Sequence, residues 1–183
     1  MGLPAHVMRH VVHSADEATV HEITKLATAP GVWLKTFVAP ETLEPWLAPG
    51  WHLAGGPGYL MSVSLPTAPT PAPEGYRVDT WTRDGVTRAL VRNRDGAFAA
   101  RGQVAVTGPT AVVDQVETDP GHQRRGLGRL VMHTLTHVAA QQGAEAGVLG
   151  ATPDGRALYE TMGWRVLAPL TGALRGPDPA DNR

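Results

Sequence analysis

A chain of 183 residues with a formal net charge of −1 is long enough for one domain with a substantial extension, and its balance of charges marks it neither for nucleic acid nor for a membrane surface. Hydrophobic residues make up 42% and charged residues 18%, which excludes general disorder, and the absence of cysteine removes disulfides, thiolate metal sites and a cysteine nucleophile. No apolar run approaches the ~18 to 20 residues of a membrane span. The first fifteen residues, with His6, Arg9, His10 and His13 among apolar neighbours, contain no signal-peptide core, so the expected location is cytoplasmic.

In chain order, Ser14-Ala15-Asp16-Glu17 reads as a helix start capped by Ser14, with Val20, Ile23, Leu26 and Ala27 on one face and Pro30-Gly31 as the stop. A second short helix is expected over Pro40 to Leu47, and Tyr59 to Leu65 alternates as a strand. The stretch SLPTAPTPAPEG, with Pro66, Pro69, Pro71 and Pro73, suits neither helix nor central strand and predicts an extended linker. Beyond it, Tyr76 to Thr82, Val86 to Asn93, Ala97 to Thr107 and Ala111 to Thr118 are strand candidates. With Asp84-Gly85 and Asp95-Gly96 as turns, they predict an antiparallel meander. A helix from Gly126 to Gln142 shows Leu127, Leu130, Val131, Leu135, Val138 and Ala139 on one face. A strand Gly147 to Thr152, a helix Pro153 to Met162 and a last strand Trp164 to Leu170 complete the order. The expected organisation is therefore an amino-terminal helical segment 1–64, a linker 65–75, a core 76–171 and a tail 172–183.

The junction between the fourth of those strands and the helix after it carries the chemistry. Gln123-Arg124-Arg125-Gly126-Leu127-Gly128 places two glycines among donors where a strand gives way to a helix. Glycine lets the backbone approach an anion, and the unpaired N–H groups of a first helical turn point at it. A tight strand-to-helix turn with solvated arginines would use the same residues. His133 and His137 are four apart on the helix but lack a third ligand and read as polar-face residues, so no metal is expected. Neither a serine-hydrolase elbow nor a P-loop occurs.

Gln123, Gly126 and Gly128 match the Q/R-x-x-G-x-G/A pyrophosphate loop of the GCN5-related N-acetyltransferases (GNAT), and Thr152 to Trp164 resembles the second signature of that family, a tyrosine-bearing helix ending in glycine plus an aromatic residue. The resemblance is strongest from about Gly75 to Leu170. It implies an α+β fold, α/β/α sandwich-like, in which a central, mostly antiparallel mixed sheet serves acyl-CoA-dependent N-acyl transfer. Two helices normally follow the first strand of that fold; residues 6–13 would be that strand and the helices after it the pair, or else the first 64 residues are an extension. The first half is also expected to pack on the later sheet and shape the acceptor site.

The resemblance further implies acetyl-CoA as cosubstrate. Its pantetheine arm would pair with the backbone of Val116, Glu117 and Thr118, and its pyrophosphate would lie on Gln123, Arg124, Arg125, Gly126, Leu127, Gly128 and Arg129. Thr152 stands where the family often has asparagine, and His122 precedes the loop. An amine is on the order of 0.1% neutral at pH 7, so transfer needs a base. Asp114 falls where many members carry an acid, and strict alternation would put Glu117 on the other face. Tyr159 would protonate the departing thiolate. The implied function is acetyl transfer to a primary amine of a small molecule or peptide, the partner being that amine, not nucleic acid or membrane. A CoA-binding regulatory domain without turnover and a protein N-acetyltransferase stay open, as does a homodimer, which an exposed patch of Trp33, Trp46 or Trp51 would support.

Overall fold

The computed structural model describes residues 8–65 and 70–177. His6, Pro66 and Pro69, with residues 178–183 of the expected tail, lie outside the described residues. In chain order the elements are β1 (Met8–Val12), α1 (Glu17–Leu26), β2 (Val32–Thr36), α2 (Pro40–Leu43), β3 (Trp51–Leu53), β4 (Tyr59–Ser64), β5 (Tyr76–Arg83), β6 (Val86–Asn93), β7 (Phe98–Thr107), β8 (Thr110–Thr118), α3 (Leu127–Gln141), β9 (Ala146–Ala151), α4 (Pro153–Glu160), β10 (Arg165–Pro169) and β11 (Thr171–Arg175). They divide into two compact units. Among the described residues, one comprises 8–60, 151–153 and 166–177, the other 61–65, 70–150 and 154–165.

The first unit is built on a four-stranded sheet ordered β1-β2-β11-β3, with β1 parallel to β2 and β11 antiparallel to both its neighbours. Its core gathers Val20, Val32, Leu34, Leu43, Ala48, Trp51 and Ala173. This corrects the expectation of a mainly helical segment before residue 64 and of a tail from 172. The run VWLKT alternates buried and half-buried side chains, and TGALR is buried at four of its five positions, so both form strands that a helix-centred reading passes over. β1 pairs with β2 in this sheet.

Two other expectations shift. α1 is capped by Asp16, not Ser14: the Asp16 carboxylate accepts from the Thr19 N–H at 2.8 Å, which holds its pKa below the ordinary carboxylate value. Leu26 is 74% exposed, and the buried face uses Thr24. That hydroxyl bonds the Val20 carbonyl and accepts the Ala48 N–H, while the Thr24 carbonyl takes the Trp51 indole N–H at 2.8 Å. Trp51 is buried in the unit's core and Trp46 packs against it, so these two indoles form no exposed patch. The helix expected over 40–47 ends at Leu43 and tightens into a 3-10 turn over Glu44–Trp46, where Pro45 has no N–H to continue it.

In the second unit, β4, β9, β8, β7, β6 and β5 lie side by side in that order. β5 to β8 form the expected antiparallel meander. Asp84 and Gly85 both take positive φ, 52° and 75°, as a two-residue hairpin turn requires. α3 lays Leu127, Leu130, Val131, Leu135 and Ala139 on the sheet as its buried face. The contact is close at Gly102 of β7: a Cβ there would stand 2.7 Å from Val131 and 2.9 Å from Leu135. No helix among the described residues is long and apolar enough to cross a membrane.

Candidate functional site

β8 is bent by one extra residue. Arg101 of β7 lies opposite Glu117, whereas Gln103 lies opposite Asp114, so Gln115 and Val116 together face Gly102. Gln115 takes φ 53°, and its N–H bonds the Asp114 carboxylate at 2.8 Å, which holds the bulge in place. The bulge overturns the expected alternation of the two acids. Asp114 and Glu117 point to the same face of the sheet, away from α3, because their partners Gln103 and Arg101 are two apart on β7. Val116 turns to the other face, where a Cβ on Gly102 would meet it at 3.2 Å. Glu117 Oε2 accepts from Arg101 Nε at 2.9 Å and from Arg101 Nη2 at 2.8 Å.

On its other side β8 pairs in parallel with β9 over residues 110–112 against 146–148 and no further. Val116, Glu117 and Thr118 thus lie on a strand edge free to take an extended ligand.

After β8 the chain turns through Pro120–His122, capped by Asp119, whose carboxylate accepts the Gly121 N–H at 2.9 Å. Gln123 is extended, Arg124 takes φ 60°, Gly126 takes φ 79°, and α3 starts at Leu127. Positive φ is uncommon for arginine and marks a constrained loop. The first helical bond runs from Leu130 N–H to the Gly126 carbonyl, so the N–H groups of Leu127, Gly128 and Arg129 are left for another acceptor. The two glycines have different causes. A Cβ on Gly126 would meet nothing within 4 Å, so that position needs glycine for its backbone; one on Gly128 would stand 2.9 Å from Leu158 of α4, so that position keeps two helices close.

The arginines also part company. Arg124 and Arg125 are exposed, and Arg125 donates to the Tyr76 hydroxyl at 3.2 Å. The Tyr76 hydroxyl also lies 2.9 Å from His122 Nδ1, with the two rings edge to face. Arg129 instead donates to Thr161 Oγ1 at 3.0 Å, tying α3 to the turn after α4 rather than facing the loop. Tyr76 carried no sequence signal, because its partners are 46 and 49 residues away.

Tyr159 on α4 is 8% exposed, its ring 6.1 Å from that of Trp164. Burial pushes its pKa above the ordinary 10.0. The hydroxyl has no hydrogen-bond partner among the described residues. No hydrogen bond or ion pair joins Tyr159 to Asp114 or Glu117 among them either. Thr152, exposed before α4, belongs to the first unit. His133 carries a buried Nδ1, at variance with a purely polar face, and His137 Nε2 lies 3.2 Å from the Gln141 amide nitrogen. No group of three or more metal-ligating side chains occurs among the described residues.

Residues 59–164, more than half the chain, match the model of the acetyltransferase (GNAT) family. Among solved structures, a GCN5-related N-acetyltransferase from Kribbella flavida is 22% identical, with a TM-score of 0.68 over 94% of this chain and 83% of that one. A GNAT-family protein from Novosphingobium aromaticivorans is 22% identical, with a TM-score of 0.62 over 88% of this chain and 80% of that one. A tandem GNAT protein from the clavulanic acid biosynthesis pathway is 14% identical, with a TM-score of 0.63 over 88% of this chain and 69% of that one. These likenesses show the shared fold. No curated protein sequence matches significantly.

Proposed function

Because the chain belongs to the GNAT acetyltransferase family, we propose that it is an N-acetyltransferase that passes the acetyl group of acetyl-CoA to a primary amine of a small molecule or peptide. The observation that carries this reading is the bulged strand β8, whose edge beyond Val112 is unpaired next to a helix start with three free N–H groups. The open space at Gly126 and the exposed Arg124 and Arg125 fit a pyrophosphate, and the backbone of Val116, Glu117 and Thr118 fits the amides of a pantetheine arm.

When bound, acetyl-CoA supplies a thioester whose acyl carbon exchanges its bond to sulfur for one to the amine nitrogen. The acceptor arrives as an ammonium and must lose a proton, a penalty of about 4 to 5 kcal/mol without a base. Asp114 takes that proton: one of its oxygens is held by the Gln115 N–H, which fixes the other. Glu117, on the same face, is anchored to Arg101 and lies one row away. Tyr159 carries its proton at neutral pH as any phenol does, burial moving its pKa further up from the ordinary 10.0, and gives it from the hydroxyl to the departing thiolate.

The test is a thiol-release assay with acetyl-CoA against a panel of primary amines. Acceptor-dependent release that falls at least tenfold in Asp114→Asn supports the reading. Release unaffected by any amine, from protein that binds acetyl-CoA, would leave a binding domain without turnover.

A further inference from the structure

The register of the meander aligns side chains in rows on the face away from α3. Trp81, Arg88, Gln103 and Asp114 stand directly opposite one another on β5, β6, β7 and β8, and Asp79, Leu90, Arg101 and Glu117 form the next row. Neighbouring strands are ~4.8 Å apart, so adjacent members of a row are within side-chain reach of each other. Between the rows lies a cavity of about 200 Å³, walled by Trp81, Arg88, Leu90, Arg101, Gln103 and Gln115, the last being the bulge residue beside Asp114.

Two features of this cavity call for a ligand. Trp81 leaves 44% of its surface in solvent at the rim, where nothing in the fold requires an indole. Arg88, only partly exposed, has no hydrogen bond or ion pair with any described residue. The other arginines of this face are committed: Arg101 to Glu117, Arg77 to Asp79, Arg83 to Asp84 and Arg92 to the Gly96 carbonyl. A half-buried guanidinium between an indole and a carboxamide presents a planar fork of donors with nothing to receive them, the arrangement that suits a carboxylate.

We propose that this cavity holds the acceptor, and that the acceptor is a primary amine that also bears a carboxylate and an apolar body, an amino-acid-like compound. The carboxylate lies on Arg88, the apolar body rests on Trp81 and Leu90, and the amine reaches Asp114, which stands beyond Gln103 in the same row. The inference rests on the acetyl-transfer reading above, and the chemistry is the same: the ammonium gives one proton to Asp114, which releases it to solvent; nitrogen bonds the acyl carbon as the carbon–sulfur bond breaks, Tyr159 protonates the thiolate, and the second proton shed by the nitrogen restores the phenol.

The experiment compares amino acids with their decarboxylated amines, phenylalanine with phenethylamine among them, as acceptors for the intact protein. Within at least one pair the carboxylated amine should show a kcat/KM at least tenfold higher, and Arg88→Gln should bring that ratio near one, with Arg88→Lys retaining part of it. Equal or better use of the decarboxylated partner in every pair, or a ratio unmoved by Arg88→Gln, would overturn the proposal. Should no amine be acetylated, calorimetry with the same amino acids decides. Binding to the parent that is lost in Arg88→Gln keeps the carboxylate site and sinks acetyl transfer; no binding to the parent sinks the site.

Discussion

Tyr159 combines a buried ring with a hydroxyl that has no hydrogen-bond partner among the described residues, and those two facts set what it can do. Replacing it with phenylalanine keeps the packing against Trp164 and removes only the proton, so acetyl-CoA affinity should persist while kcat falls by roughly 10² to 10⁴. Nearly full kcat in a variant that binds acetyl-CoA would show that the phenol only packs. The same burial has a stability consequence. The folded state holds the phenolic proton more tightly than the unfolded chain, so its contribution is fully present below the ordinary value of 10.0 and is lost as pH rises through the raised folded value. Denaturation from pH 8 to 11 should therefore show a steeper alkaline loss in the parent than in Tyr159→Phe; parallel curves would contradict the assignment. At the acids, Asp114→Asn should cost more turnover than Glu117→Gln, because Glu117 Oε2 already receives both Arg101 donors. The reverse order in kcat would make Glu117 the base.

The element that organises the site is a strand that departs from its period. Asp114 and Glu117 were legible as acids near the glycine-bearing loop, but their shared face was not, because alternation counts residues and a bulge adds one. Only the Asp114-Gln115 pair hints at it, an aspartate able to hold the next N–H. The loop after β8 was readable because Gly126 and Gly128 are punctuation in any sequence, although one serves backbone geometry and the other helix contact. Gly102 and Gly128 both sit in close contacts, but of different kinds. Gly102→Ala inserts a methyl among three side chains at 2.7, 2.9 and 3.2 Å and should cost about 1–3 kcal/mol by overpacking. Gly128→Ala meets only the flexible end of Leu158 and gains about 1 kcal/mol of helix propensity, so its stability should change little. Urea denaturation of the two variants checks this; equal losses would contradict the packing account.

At the scale of the molecule, the chain closes its first unit with its last strand. β11 lies between β2 and β3, pairing with both, so the four-stranded sheet is completed by residues more than a hundred positions after its other strands. Sequence patterns are local, which is why the later half, with its hairpins and signatures, was legible and this sheet was not. β3 is three residues long, and β11 follows directly on β10. Truncation after Leu170 should strip the inner strand and expose the core around Leu34 and Trp51. The truncated protein should bind a hydrophobic dye and lose a cooperative unfolding step. A truncated chain that unfolds like the parent would show that the first unit does not depend on β11.

The central claim is that the corner formed by β8, the loop at Gly126 and the start of α3 holds acetyl-CoA. Calorimetric titration of the intact protein tests it most directly, set beside Gly126→Val in a preparation that retains cooperative unfolding. Saturable binding to the parent and at least a tenfold loss in the variant are expected, because a side chain at 126 would occupy open space beside the free N–H groups and strain a backbone at φ 79°. Parent-like affinity in the folded variant would contradict it.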